Sequence, residues 1–310
     1  MNPPLILPLT VELQTEICQF IREIGQKAIR LRELGFEVDE KGFDDYVTNV
    51  DRELDQLLSQ RFQSWFPDDM VISEENPRSR ELWQEKTKRN PHNQKFWFID
   101  PIDGTDDFIH GRDFYSVMVG VLQEFQPVLG WIYAPKSDRL YFGGTGINSI
   151  FTVTNGNVPE ILHVHPPIGT NCDRIIVSKK DDLAYGEAIR VAVPNAEFYS
   201  LGSFGLKVME VVEGRASAYI YLNRRVKLWD TVGPLAIARA AGLICCDLEG
   251  REIGFGDDHI NAEKLTHNQV IIIAWTQFID AYREAIAQQF RLNFHTRFTS
   301  DPNLPITQKG

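Results

Sequence analysis

The chain has 310 residues, 43% hydrophobic and 24% charged, with 43 acidic against 32 basic side chains and a formal net charge of −11. Such a balance describes a soluble globular protein with room for a sizeable core. The acidic excess argues against a nucleic-acid polymer or an anionic membrane as principal partner. Cys18, Cys172, Cys245 and Cys246 lack C-x-x-C spacing, so neither a disulfide framework nor a zinc site is expected, and a reducing cytoplasm is the default compartment. The first ten residues are short of charge and broken by Pro3, Pro4 and Pro8, which reads as neither signal peptide nor membrane span.

Apolar residues at Leu13, Ile17, Phe20, Ile21, Ile24, Ala28, Leu31 and Leu34 step by three and four. The spacing predicts an amphipathic helix over 11–34, capped by Thr10 and stopped by Gly35. Residues 36–46 are polar and acidic and read as a mobile loop. Thr48 and Asp51 have capping-box spacing, and Val50, Leu54, Leu57, Leu58, Phe62 and Trp65 continue as a helix ending before Pro67. Taken alone, Asp51 is a cap. Met70–Ser73 reads as a short strand running into Glu74 and Glu75, and residues 77–94 as a charged surface excursion or lid.

Residues 96–105, Phe-Trp-Phe-Ile-Asp-Pro-Ile-Asp-Gly-Thr, are the most informative stretch. The four bulky apolar residues predict a strand buried on both faces, ending in Asp100 and Asp103. Pro101 fixes φ and Gly104 tolerates a positive φ, so a sharp turn is expected to bring both carboxylates and the Ile102 carbonyl to one point. Close carboxylates repel unless they share a proton or hold a cation. Oxygen-only donors favour Mg²⁺ before Ca²⁺ or Mn²⁺. A helix opening at Thr105 would add backbone N–H donors beside the ion, a combination that suits phosphate. An isolated Asp-x-x-Asp is otherwise a solvated turn that caps a helix.

Beyond it, Phe114–Leu122 and Val128–Tyr133 read as strands joined through Pro127, and Tyr141-Phe142 and Ile150–Val153 extend this β-rich region. Pro159, Pro166 and Pro167 break the pattern, which divides the chain into an N-terminal α+β lobe (1–165) and a C-terminal α/β lobe (166–290), with 291–310 as a tail. In the second lobe Arg174–Val177, Phe198–Leu201, Ala218–Tyr221, Leu243–Cys246 and Val270–Ala274 read as strands. They alternate with helical stretches at about 183–191, 203–213, 231–241 and 276–290. Asp230, in Leu228-Trp229-Asp230-Thr231, opens one of these helices, where an aspartate is ordinarily a cap.

Taken in order, Asp45…Thr48…Asp51, Glu74-Glu75, Asp100-Pro101-Ile102-Asp103-Gly104-Thr105 and Trp229-Asp230 resemble the signature set of the inositol monophosphatase superfamily. Its members are Mg²⁺-dependent, typically lithium-sensitive phosphomonoesterases, among them inositol monophosphatases, 3′(2′),5′-bisphosphate nucleotidases and fructose bisphosphatases. The resemblance implies an α/β (α+β) fold, a layered αβαβα sandwich of alternating helices and mixed sheets. It implies two or three Mg²⁺ ions. Glu74, Asp100 and the Ile102 carbonyl would hold the first, and Asp100, Asp103 and Asp230 a second, with Glu74 near a third. Thr105 would orient the attacking water, Asp51 would support it, and the Gly104 and Thr105 amides would receive the phosphate; Glu75 would stand outside the metal ligands. A small-molecule phosphate ester is the expected partner, and related enzymes are often homodimers.

Departures concern the substrate more than the metals. Asp107 stands where the family often has asparagine, and Thr231-Val232 where it has paired alanines. Asn223, Arg224, Arg225 and Lys227 lie near the place of a hydroxyl-binding glutamate in inositol monophosphatases, and cations there favour more substrate charge than one phosphate. The Leu201-Gly202-Ser203…Leu206-Lys207 segment likewise resembles the nucleotidase branch. The reading is hydrolysis of a small phosphate ester by metal-activated water, of inositol monophosphatase type. Bisphosphate nucleotidase or fructose-1,6-bisphosphatase activity is the alternative. A haloacid-dehalogenase motif is excluded by the spacing of Asp100 and Asp103, and an EF-hand by the lack of alternating oxygen ligands after Asp100. A non-catalytic metal-binding scaffold is disfavoured because Glu74, Asp100, Asp103 and Asp230 are all retained.

Overall fold

In the computed structural model, which describes residues 9–42, 45–89 and 95–299, the first apolar stripe closes into α1 (Val11–Leu34). The Thr10 hydroxyl accepts from the Leu13 amide at 3.2 Å and Gly35 ends the helix at φ 95°. The expected loop over 36–46 is instead an antiparallel hairpin of β1 (Val38–Gly42) and β2 (Asp45–Thr48), residues 43–44 lying outside the described residues. β1 is exposed along its whole length, so no apolar alternation announces it. Next come α2 (Asn49–Trp65), β3 (Met70–Ser73) and α3 (Ser79–Arg89). That last helix replaces the expected excursion; its Trp83 is buried against Phe96 and Phe98, and residues 90–94 lie outside the described residues.

β4 (Lys95–Asp103) carries the informative stretch and leads into the short α4 (Thr105–Ile109). β5 (Ser116–Gln123), β6 (Gln126–Ala134), β7 (Arg139–Gly144), β8 (Ser149–Thr154) and β9 (Glu160–Ile161) complete a seven-stranded sheet in the order β3-β4-β5-β6-β7-β8-β9. Its pairs are antiparallel except β3–β4. Pro127 lies within β6 rather than in the connection: Glu124 and Phe125 make the turn, both at positive φ.

The second half supplies β10 (Arg174–Val177), α5 (Lys179–Ala192), β11 (Glu197–Tyr199), α6 (Phe204–Val212), β12 (Ala218–Tyr221), α7 (Leu228–Ala240) and β13 (Ile244–Cys246). A small hairpin, β14 (Ile260–Asn261) with β15 (Thr266–His267), precedes β16 (Ile271–Ala274) and α8 (Thr276–Thr299). The second sheet has the order β11-β10-β12-β16-β13 and is mixed. α8 continues beyond the expected end at 290, through residues read as a tail; residues 300–310 lie outside the described residues.

Strand periodicity explains the layering. On β4, Trp97 and Ile99 join the core with α1 and α2, whereas Phe96 and Phe98 face the core with α6 and α7. On the second sheet, Ile176, Ile271 and Ile273 meet α6 and α7, whereas Ile175, Val177 and Ile272 meet α5 and α8. Both sheets are therefore apolar on two faces, and the order of layers is αβαβα.

α7 lies unusually close to the first sheet. Gly120 and Gly130 are paired across β5 and β6, and Gly233 of α7 rests on them. A Cβ at Gly130 would come within 2.2 Å of the Gly233 carbonyl oxygen, and one at Gly120 within 2.3 Å of its nitrogen. Backbone thus meets backbone, one turn beyond Asp230.

The β14–β15 hairpin buttresses the start of the same helix. Leu228 N donates to Leu265 O at 3.0 Å and His267 N to Val226 O at 3.2 Å. The His267 ring is buried, and its pKa is pushed down to about 3 by that burial, then by the charges of His259 and Arg239, against an opposing pull from the Gly254 backbone. It is neutral in the fold, so below about pH 6.5 only the unfolded chain takes up its proton and the fold loses about 1.4 kcal/mol per pH unit from this group. A His267→Gln variant lacks that loss. Paired denaturation curves at pH 7 and pH 4.5 should show wild type losing ground to it by roughly 3 kcal/mol; a pH-independent difference would refute the assignment.

Candidate active site

The carboxylates of β4 converge by a different device from a sharp turn. Residues three apart on a regular strand point to opposite faces. Here Asp100 pairs with Met118 and Asp103 with Ser116, so β4 spends one residue more than β5 over this interval. That bulge resets the alternation and brings both carboxylates to one side. Ile102 N donates to Asp100 Oδ1 at 3.0 Å. Asp103 Oδ2 accepts from the Ser203 hydroxyl and, at 2.9 Å, from Gly205 N at the start of α6. Gly104 follows at φ 93°, where a Cβ would stand 2.9 Å from Ser203 N and 3.0 Å from Phe114 O. Only glycine satisfies both the dihedral and the approach.

Asp230 arrives from the first turn of α7, its Oδ2 accepting from Lys227 N at 2.7 Å. One oxygen each of Asp100, Asp103 and Asp230 lie within 4.8 Å of one another. Burial and mutual repulsion raise the pKa values of Asp100 and Asp230, the latter to about 7. Burial also raises Asp103, against the opposing donors Ser203, Gly205 and Phe204. A cluster so costly to ionise is relieved by a cation, and its all-oxygen donor set fits a hard divalent ion.

Glu74 follows β3 alongside Asp100, held by Glu74 N donating to Ile99 O at 3.1 Å. Asp55 braces this strand end, accepting from Ser73 Oγ at 2.9 Å and Glu75 N at 3.1 Å. The Glu74 carboxyl lines the same cleft as Asp230 but stands outside the three-carboxylate group, 3.3 Å from the Lys41 ammonium. Burial lifts its pKa to about 8; Lys41 opposes this, and Glu75 and Asp230 reinforce it. Lys41 also pairs with Glu75. Burial works against the lysine's charge, but the two glutamates hold its pKa above the ordinary value. Sequence reasoning missed Lys41 because it sits in the hairpin read as a loop.

Thr105 Oγ1 lies 3.2 Å from Asp51 Oδ1 and 3.0 Å from Ile102 O. Asp51 also completes the expected capping box, with its Oδ2 accepting from Thr48 N at 2.9 Å and from the Thr48 hydroxyl. Thus one carboxylate both caps α2 and reaches Thr105. Asp107, the unexpected aspartate, is paired with Arg112, so its extra charge is met locally. Lys207 was noted only within a segment. It is buried, donates to Gly202 O at 3.0 Å, and has Asp103, Asp107, Asp230 and Asp181 as its electrostatic neighbours.

Glu74 and Asp230 open onto a cleft of about 950 Å³ whose lining also includes Asn223, Arg224, Arg225 and Lys227, together with Lys180, Asp181 and Lys264, which the sequence did not single out. A second, largely apolar cavity of about 570 Å³ shares Arg224 and Phe290 with that cleft.

The profile of the inositol monophosphatase family matches residues 7–288. The chain belongs to the inositol monophosphatase family. It is similar to the fructose-1,6-bisphosphatase/inositol-1-monophosphatase of Thermotoga maritima, 25% identical over 74% of this chain and 82% of that protein. It is equally similar to the 3′(2′),5′-bisphosphate nucleotidase CysQ of Escherichia coli, 25% identical over 77% of this chain and 92% of the relative. Among solved structures, a staphylococcal IMPase-I complexed with products shares the fold at a TM-score of 0.66, with 20% identity over 90% of this chain and 95% of that one. This inositol monophosphatase family member is accordingly a phosphoric monoester hydrolase with the layered α/β architecture of its family. Its family is metal-dependent, and the acidic cluster is suited to a metal.

Proposed function

We propose that the protein hydrolyses a small phosphate monoester with Mg²⁺ held at the Asp100–Asp103–Asp230 cluster, as inositol monophosphatases do. The convergence of those three carboxylates within 4.8 Å carries this reading. Glu74 and the Ile102 carbonyl would complete the oxygen set, enough for two ions, with Glu74 beside a third. When bound, Mg²⁺ supplies Lewis-acid polarisation of phosphoryl oxygens and acidifies nearby water.

The protein's own groups do the rest. The Thr105 hydroxyl orients the attacking water. Asp51 Oδ1 takes up the proton through that hydroxyl; burial raises the Asp51 pKa and so its basicity, against the Thr48 donors. The Gly104 and Thr105 amides receive the phosphoryl oxygens. Lys41 holds Glu74 in place. Asn223, Arg224, Arg225 and Lys227 border the leaving group. The free state of Cys18, Cys172, Cys245 and Cys246 supports a cytoplasmic location.

A second reading, a nucleoside 3′,5′-bisphosphate substrate, is favoured by the basic residues that line the cleft. Arg224, Arg225 and Lys264 offer charge for a second phosphate, and the apolar cavity beyond Arg224 and Phe290 is of a size and polarity to take a base. Phosphate release is to be measured from inositol 1-phosphate, 3′-phosphoadenosine 5′-phosphate and fructose 1,6-bisphosphate, with Mg²⁺, with chelator and with Li⁺. Turnover should need Mg²⁺, and the preferred ester decides between the readings. Equal release in chelator, or none from any ester, would overturn both.

A further inference from the structure

The hydroxyl of Thr231 lies 2.9 Å from His267 Nε2, and both residues are buried. Thr231 directly follows Asp230 on the first turn of α7. Its Oγ1 is also 3.2 Å from Lys227 O and 3.3 Å from Leu228 O, the carbonyls of that same turn. His267 is fixed in turn by its position on β15 and by an edge-to-face contact between its ring and that of Phe255, with centroids 5.0 Å apart. The preceding segment is tied to the same hairpin by the Lys227–Thr266 bridge and by Leu228 N to Leu265 O.

The backbone bonds fix the height of the helix start but leave rotation about the helix axis open. A side-chain bond on one face of the turn closes that freedom. The Asp230 carboxylate projects from this turn, so a small rotation would carry its oxygens out of reach of those on Asp100 and Asp103. Displacements near 1 Å at such sites are costly.

We propose that Thr231 and His267 form a positioning pair that sets the orientation of the first turn of α7, and with it the reach of Asp230 into the carboxylate cluster. The inference rests on the reading of that cluster as a metal site. Neither residue touches substrate or metal; both act through Asp230. The hydroxyl is the essential group, because a valine of the same shape leaves the buried His267 nitrogen without its partner.

The test is calorimetric titration of Mg²⁺ into chelator-treated, dialysed protein without substrate, alongside thermal melting in chelator. Thr231→Val should bind Mg²⁺ about tenfold more weakly, and Thr231→Ser, which keeps the hydroxyl, should bind as wild type does. The half-saturating Mg²⁺ for turnover should rise in parallel, with substrate KM little changed. If Thr231→Val does not fold, Thr231→Ala removes the same hydroxyl with less crowding and takes its place. A folded hydroxyl-less variant that binds Mg²⁺ like wild type, merely melting lower, overturns the pair's positioning role. Wild-type protein that binds no divalent cation would instead remove the metal reading itself, and this proposal with it.

Discussion

Asp100→Asn is expected to lower phosphate release by at least about 10³-fold while leaving the metal-free protein no less stable, and more stable at neutral pH. The two effects have one cause. The Asp100 carboxylate is buried, and burial and repulsion from Glu74, Asp103 and Asp230 both disfavour its charge. Asparagine keeps the shape and the acceptor for Ile102 N, but removes the charge that a cation requires. Activity and stability should therefore move in opposite senses, as they do where a site stores unfavourable electrostatics. Melting in chelator and phosphate release in Mg²⁺ read the two arms. Turnover near the wild-type rate would exclude the cluster from catalysis, and a collapse in stability would mean that Asp100 is structural.

Gly130→Ala should be among the most damaging single substitutions available. Ordinary overpacking costs about 1–3 kcal/mol because side chains give way. Here the added carbon meets the Gly233 carbonyl oxygen at 2.2 Å, and the backbone of α7 cannot yield without the helix lifting from the sheet. Asp230 would be carried away with it, so the soluble, folded fraction should also be poorly active. Gly256→Ala, with nothing within 4 Å of the new carbon, is the matched control. If Gly130→Ala melted and turned over like that control, the close backbone contact would be refuted.

The legible parts of the chain were those where local chemistry and tertiary burial agree. α1 begins at Thr10 and stops at Gly35 as its spacing implies, and the Thr48–Asp51 capping box is present. The pairing of Asp100 with Asp103 was readable from Pro101 and Gly104, although a strand bulge achieves it where a turn was expected. Asp230 joined the cluster by resemblance, since an aspartate opening a helix has a cheaper local explanation. The hairpin β1–β2 was hidden because its outer strand has no buried apolar residue, and Lys41 was hidden with it. α3 was obscured by its charged composition, with Trp83 its main apolar anchor. Glu124 and Phe125 adopt positive φ without being glycine or asparagine, so the β5–β6 turn carried no usual signal and Pro127 drew attention instead.

The meeting of Gly233 with Gly120 and Gly130 has a bearing on which guest the site accepts. The nearest atoms at that contact are backbone, so the spacing between the sheet that carries Asp100 and Asp103 and the helix that carries Asp230 is set by main chain, whatever the rotation of the helix start. A mount of this kind resists stretching. Mg²⁺ needs oxygens at about 2.0–2.1 Å and Ca²⁺ at about 2.3–2.6 Å, and three aspartates offer both ions the same chemistry. Discrimination would then fall to the girth of the ion, with the three glycines holding sheet and helix at a fixed spacing.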